Sequence, residues 1–280
     1  MPEPQVPWAR AADAGHRLVG KRAYITGAGT SPGGDLLGIG EAIAVLFAAQ
    51  GATVAIADVS AERAAATLAL VRDAGGEGVA VVGDLTHESE SLRCVNEAVS
   101  ALGGLDTVVN NVAVSGAGGS PVDAELARWE EVLAVNLRTT LLTGRHTIPH
   151  LQHAGGGSIV NISSIAATRG LGSGAYGASK SAMLGMTRDW AFLHGRDLLR
   201  VNCIVVGHVH TPMGSGDELG RRRRMRASLL GTEGDAWDVA WAAVFLASEE
   251  SRWITGTELV VDAGATVTTG LGLHMLNGDG

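Results

Sequence analysis

From Lys21 to Asp262, short apolar runs rich in Val, Ile and Ala alternate with helix-periodic segments, and no other feature restricts the possible folds so far. Strands are expected at Arg22–Thr26, Thr53–Asp58, Gly78–Gly83, Leu105–Asn110, Ser158–Ser163, Arg200–Val206 and Glu258–Asp262. Helical patterns fill the intervals: Gly40–Gln50, an Ala-rich segment that Ser60 can cap, and a segment with Leu92, Val95, Val99 and Leu102 on one face. Further ones run over Leu126–Thr147, Ala175–His194 and Ala236–Ser248. Strands that are apolar throughout, without in/out alternation, suit a parallel sheet covered by helices on both faces. The alternation therefore predicts an α/β, doubly wound (Rossmann-type) parallel seven-stranded sheet. No internal repeat and no polar linker divides it. The expected division is an extension over 1–20, one domain over 21–265 with a helical substrate lid, and a tail over 266–280.

Hydrophobic residues make up 46% and charged residues 18%, enough apolar surface for a packed core. The 40 glycines, against 4% aromatics, allow close packing and let backbone approach a ligand. A formal charge of −8 argues against nucleic acid or an anionic membrane as partner. Cys94 and Cys203 form neither a CxxC pair nor a metal-ligand cluster, so no metal is expected and both thiols are read as reduced in a cytoplasmic protein. No apolar run reaches membrane-spanning length. The opening MPEPQVPWARAADAG lacks the apolar core of a signal peptide and reads as a disordered or loosely docked extension.

After the first strand come Thr26-Gly27-Ala28-Gly29-Thr30, then Ser31 to Leu37, then Gly38-Ile39-Gly40. Glycines between a strand and a helix give a tight turn, bring backbone N–H groups onto a pyrophosphate and aim a helix N-terminus at it. A purely structural turn has the same composition; the position in the first strand–helix unit favours the ligand role. Asp58 ends the second strand, where a carboxylate can accept both ribose hydroxyls of NAD and repel the 2′-phosphate of NADP. It could also merely cap the next helix. No arginine directly follows it, which agrees with NAD over NADP.

Tyr176 and Lys180 (YGASK) stand four residues apart on an expected helix, hence on one face. A phenol near pKa 10 is a poor base at neutral pH, and a neighbouring ammonium favours the phenolate. Alone, such a pair is commonly a surface feature.

Together these elements resemble the short-chain dehydrogenase/reductase family over roughly Gly20 to Ala265. The family's TGxxxGxG is similar to Thr26-Gly27 with Gly38-Ile39-Gly40. Its NNAG is similar to Asn110-Asn111-Val112-Ala113, and its helix asparagine to Asn136 in AVNL. The catalytic serine lies in NISS, YxxxK is Tyr176/Lys180, and VDGG is similar to Val261-Asp262-Ala263-Gly264. The resemblance implies that Tyr176 is the general acid/base, that Lys180 binds the nicotinamide ribose and lowers the tyrosine pKa, and that Asn136 holds a water linked to Lys180. It implies further that Asp84 and Leu85 contact adenine, that Asn111 lies beside the ribose, and that Val209 and Thr211 meet the carboxamide. Gly27, Gly38, Ile39, Gly40 and Asp58 would complete the NAD site. A homotetramer, or otherwise a dimer, is implied as well.

Two serines compete for the substrate oxygen. The family's usual spacing from Tyr176 lands on Ser163, whereas anchoring on the strand end selects Ser164 with one residue deleted in the following loop. Loops lose single residues more easily than strands shift register. Ser164 is therefore assigned to catalysis and Ser163 to a backbone role near the cofactor.

The chain departs from the pattern at the seven-residue insertion Ser31–Leu37, read as an outward bulge, although it could place Asp35 near the pyrophosphate. Val206-Gly207 stands for a Pro-Gly, and VDAG for VDGG. His208 and His210 flank Val209, either solvated or one of them touching substrate. Arg221–Arg224 with Arg226 reads as a solvated helix face, the alternative being recognition of an acidic substrate or a phosphorylated carrier. Trp237 and Trp241 read as packing, within the chain or at a subunit contact. Leu271, Leu273, Met275 and Leu276 suggest a tail that docks on its own or a neighbouring subunit.

The expected activity is hydride transfer between NAD(H) and a secondary alcohol or ketone. Val114–Ser120, Ile165–Gly174 and a lid over Val209–Arg226 would wall the substrate. The rival readings are an NAD-binding sensor or scaffold without turnover, and a lyase or epimerase that uses NAD transiently.

Overall fold

The computed structural model describes residues 16–29, 36–116, 118–214 and 217–277. Seven strands form one parallel sheet: β1 (Arg22–Thr26), β2 (Thr53–Asp58), β3 (Glu77–Val82), β4 (Thr107–Asn110), β5 (Gly157–Ser164), β6 (Leu199–Val206) and, last in the chain, β9 (Glu258–Val261). Their spatial order is β3-β2-β1-β4-β5-β6-β9, all neighbours parallel. The doubly wound sheet expected from the alternation is what the chain adopts. Two-residue strands β7 (Val209–His210) and β8 (Gly234–Asp235) pair outside it, a short ladder the sequence did not signal.

Helices α1 (Ile39–Ala49), α2 (Ala61–Asp73) and α8 (Ala236–Ala247) cover one face, burying Ile43, Leu46, Phe47, Val71, Val239 and Leu246 against the sheet. Helices α3 (Glu88–Leu102), α5 (Thr139–His153) and α6 (Ala175–His194) cover the other with Val95, Leu151 and Trp190. Both faces of β1 and β2 are thus dry, which accounts for strand sequences with no polar alternation. Ser60 caps α2 by accepting the Arg63 N–H, and Asp235 caps α8 at Trp237 and Asp238.

The expected helix over Leu126–Thr147 is three pieces in one rod. Helix α4 (Leu126–Leu133) runs into a π turn at Ala134–Arg138, and α5 then continues to His153 through Pro149. A π turn inserts one residue and turns a side chain off the regular face; here it carries Asn136. Helix α7 (Glu218–Arg226) sits in the expected lid, and α9 (Gly270–Asn277) in the tail.

Residues 16–20 of the expected extension are docked: Leu18 is buried, and its N–H donates to the Gln50 carbonyl. Trp237 is buried in the chain's own core, and Trp241 packs partly buried against it. The tail meets the lid where Asn277 Nδ2 donates to the Arg226 carbonyl (3.1 Å), while Leu271, Met275 and Leu276 remain exposed.

Candidate active site

The strand order reverses between β1 and β4, and connections leaving this point in opposite directions open a crevice at the carboxyl ends of the strands. There Thr26 and Asn110 are paired neighbours at the ends of β1 and β4. The Thr26 hydroxyl donates to the Val109 carbonyl and accepts the Asn111 N–H, both at 3.2 Å, which fixes the mouth. Gly27 follows at φ +62°, and a Cβ there would meet Val112 Cα at 2.8 Å. Asn111 Nδ2 donates to the Gly27 carbonyl (2.8 Å), and a Cβ on Gly40 would fall 2.4 Å from that nitrogen. Glycine at 27 and 40 therefore lets the loop and the first turn of α1 close on Asn111. At Gly38 a Cβ would meet nothing within 4 Å.

A cleft of about 900 Å³ runs from this loop across the sheet ends, a size suited to a dinucleotide and a small substrate. Gly27, Gly38, Ile39, Gly40, Asp58, Asp84, Leu85, Asn111 and Ser163 border it, as do Val209 and Thr211. Ser164, Tyr176 and Lys180 border the same cleft. Asn136 does not. It is fully buried behind the wall, where Oδ1 accepts the Val114 N–H (2.7 Å) and Nδ2 donates to the Val114 carbonyl (3.0 Å) and Ser179 Oγ (3.1 Å). The Ser179 hydroxyl in turn donates to the Tyr176 carbonyl (2.7 Å).

Adjacent residues of a strand point to opposite faces, and β5 uses this to separate its two last serines. Ser163 is buried and donates to the Lys180 carbonyl (2.8 Å). Ser164 accepts the Ala166 N–H (3.2 Å), and its hydroxyl acts on the Tyr176 phenol, favouring the phenolate. Burial raises the Tyr176 phenol above its usual range, with Ser164 opposing. Burial also pulls the Lys180 ammonium down to about 8; the thiol of Cys203 opposes this slightly. Lys180 Nζ donates to the Ile162 carbonyl (2.7 Å).

At the other end, Asp58 is 7% exposed and is not a bare carboxylate. Arg63, from the first turn of α2, pairs with it (Nη2 to Oδ1, 2.7 Å) and borders the cleft. This residue was missed in the sequence, where only the position directly after Asp58 was weighed. The helical register of α2 was the available signal, since it returns the third residue after the Ser60 cap toward the strand end.

The lid also differs from expectation. Arg221 and Arg224 close on Glu233 (Nε to carboxylate, 2.8 and 2.6 Å), whose side chain is only 4% exposed. The run is therefore not wholly a solvated face; Arg222 forms an exposed pair with Glu218. His208 and Arg224 border the cleft, and burial lowers the His208 pKa. His210 lies 3.9 Å from Glu233. Residues 30–35, which include Asp35 of the insertion, fall outside the described residues, while Leu37 packs against the core.

The family model described as Enoyl-(Acyl carrier protein) reductase matches residues 34–266. The chain is 37% identical over 270 residues to (+)-borneol dehydrogenase 2 of Salvia officinalis, covering 90% of this chain and 91% of that protein. It is 35% identical over 254 residues to 2,5-dichloro-2,5-cyclohexadiene-1,4-diol dehydrogenase LinX of Sphingobium indicum, covering 90% and 98%. A solved structure of a Serratia marcescens short-chain dehydrogenase/reductase double mutant superposes with a TM-score of 0.82 at 32% identity, covering 90% and 100%. Among the described residues no helix is long and apolar enough to cross a membrane. The chain belongs to the short-chain dehydrogenase/reductase family, oxidoreductases that use a nicotinamide cofactor.

Proposed function

We propose that the chain is an NAD(H)-dependent dehydrogenase/reductase of secondary alcohols and ketones, with NADP(H) the weaker cofactor. The observation that carries this reading is the convergence of Ser164, Tyr176 and Lys180 on the cleft that the glycine loop and Asp58 also border. The residues fit a dinucleotide: the glycine cradle at 27 and 40 has no room for a Cβ, Gly38 opens onto free space, and a helix N-terminus follows. The bound nicotinamide would supply the two-electron acceptor or donor.

Tyr176 would take the hydroxyl proton of an alcohol, or return it to a ketone oxygen. Ser164 would hold that oxygen with a hydrogen bond, and its place beside Tyr176 on the cleft supports this role. Lys180 would exchange its bond to the Ile162 carbonyl for ribose hydroxyls, bringing positive charge beside the phenol. Asn136 would act as a positioning residue, because its route to Tyr176 runs through Ser179. Asp58 would receive the adenosine ribose; Asp84 and Leu85 would border adenine, and Val209 and Thr211 the carboxamide.

Two relatives are named for alicyclic alcohols, and the substrate proposed is of that kind, in an assembly of two or four copies. The test is a panel of cyclic secondary alcohols and ketones with NAD(H), followed at the nicotinamide absorbance. Turnover of at least one cyclic alcohol supports the reading; dinucleotide binding without turnover across the panel contradicts it.

A further inference from the structure

The carboxylate expected to exclude a 2′-phosphate carries its own counter-charge. Asp58 Oδ1 accepts three bonds, from Ser60 N–H (2.9 Å), Arg63 Nε (3.2 Å) and Arg63 Nη2 (2.7 Å). Among the described residues Oδ2 accepts only the Gly29 N–H (3.1 Å). The loop presses on this pair: a Cβ on Gly29 would lie 2.6 Å from Asp58 Cγ and 2.7 Å from Arg63 Cβ. Arg63 is nonetheless 39% exposed on its side chain and borders the cleft, and its Nη1 donates to no described residue.

Two consequences follow from the charges. A carboxylate beside a guanidinium forms a neutral pair, so its repulsion of a dianionic phosphate is largely cancelled. A guanidinium with a free edge on a cleft is also the fork that phosphate oxygens accept bidentately. Oδ2, with one bond, can still accept a ribose hydroxyl.

We propose that Arg63 is a second determinant of cofactor choice, acting against Asp58. With Arg63 in place the site admits a 2′-phosphorylated adenine dinucleotide as well as the unphosphorylated one, the phosphate pairing with the Arg63 fork while Asp58 keeps its bonds to Ser60 and Gly29. The inference rests on the dinucleotide reading of the cleft.

The test is binding, independent of turnover. NADH and NADPH are titrated by nicotinamide fluorescence, with 5′-AMP and 2′,5′-ADP as competitors that carry no nicotinamide. Wild type, Arg63→Ala and Arg63→Lys are compared, with thermal melts to establish folding. A charge-assisted bidentate contact corresponds to roughly tenfold or more in affinity. Arg63→Ala should therefore raise the NADPH-to-NADH Kd ratio at least about fivefold, weaken 2′,5′-ADP in parallel and leave 5′-AMP within about twofold. Arg63→Lys should fall between. A smaller change of that ratio in Arg63→Ala, or equal weakening of 5′-AMP, overturns the proposal. Failure of wild type to bind either dinucleotide would instead sink the underlying reading of the cleft, a separately recognisable result.

Discussion

Lys180 Nζ lies 5.8 Å from the centroid of the Tyr176 ring, one helical turn away on α6, and spends a hydrogen bond on the Ile162 carbonyl. Burial drives both groups toward their neutral forms, the phenol upward and the ammonium down to about 8. Ser164 rather than Lys180 opposes the burial of the phenol, and the lowered tyrosine pKa implied by the family resemblance is proposed for the site with its cofactor bound.

The lysine makes a pH-dependent stability prediction. Its folded pKa of about 8 lies below the ordinary lysine value of about 10.4. Below pH 8 both states hold the proton and the full cost of burying the ammonium applies. Between about 8 and 10.4 the unfolded chain binds more protons, so this group's contribution to stability rises with pH. Lys180→Met should abolish turnover yet unfold at an equal or higher denaturant midpoint at pH 7, with the advantage shrinking by pH 10. An advantage that does not change with pH would contradict the depressed pKa.

The two serines of β5 should separate cleanly. Ser163→Ala removes a buried hydroxyl from the Lys180 carbonyl and should cost about 1 kcal/mol of stability. Ser164→Ala should lower kcat by roughly 10²–10³ with little change in stability. Equilibrium unfolding and steady-state kinetics on both variants check the assignment; a larger kinetic loss at Ser163 would reverse it.

Gly40→Ala and Gly38→Ala form a matched pair. A methyl at 40 must displace Asn111 Nδ2 and the Gly27 carbonyl, which it would meet at 2.4 and 2.5 Å, so a cost of about 1–3 kcal/mol is expected. At 38 the space is open, and the expected effect is on dinucleotide affinity alone. Melting curves and fluorescence titration distinguish them.

Ala263 adopts φ +52°, a left-handed conformation that costs a non-glycine residue about 1 kcal/mol or more. Its carbonyl accepts the Leu229 N–H (2.9 Å), so the conformation is held by the lid connection. Ala263→Gly should stabilise the chain by up to about 1 kcal/mol, less what glycine's extra unfolded-state freedom removes. A destabilised variant would show that the alanine methyl packs favourably despite the strain.

What was legible in the sequence follows from what period and spacing encode. Seven apolar strands in a doubly wound parallel sheet could be read because burial on both faces leaves an unbroken Val/Ile/Ala record in Thr53–Asp58 and its counterparts. The YxxxK pair could be read because α6 repeats every turn. Contacts made across elements could not. Arg63 is announced only by the helical register after the Ser60 cap, nothing in AVNL announces the π turn that sends Asn136 behind the wall, and the Glu233 clamp on Arg221 and Arg224 joins α7 to the approach to β8. Each depends on where a long side chain ends after folding.

The most direct test of the central claim compares wild type with Tyr176→Phe in two assays on the same preparations: dinucleotide titration, and turnover of a cyclic secondary alcohol. The account predicts NADH affinity unchanged within about twofold while kcat falls by roughly 10²–10⁴, the contribution of a positioned proton-transfer group. A Tyr176→Phe protein that turns over at the wild-type rate would contradict it.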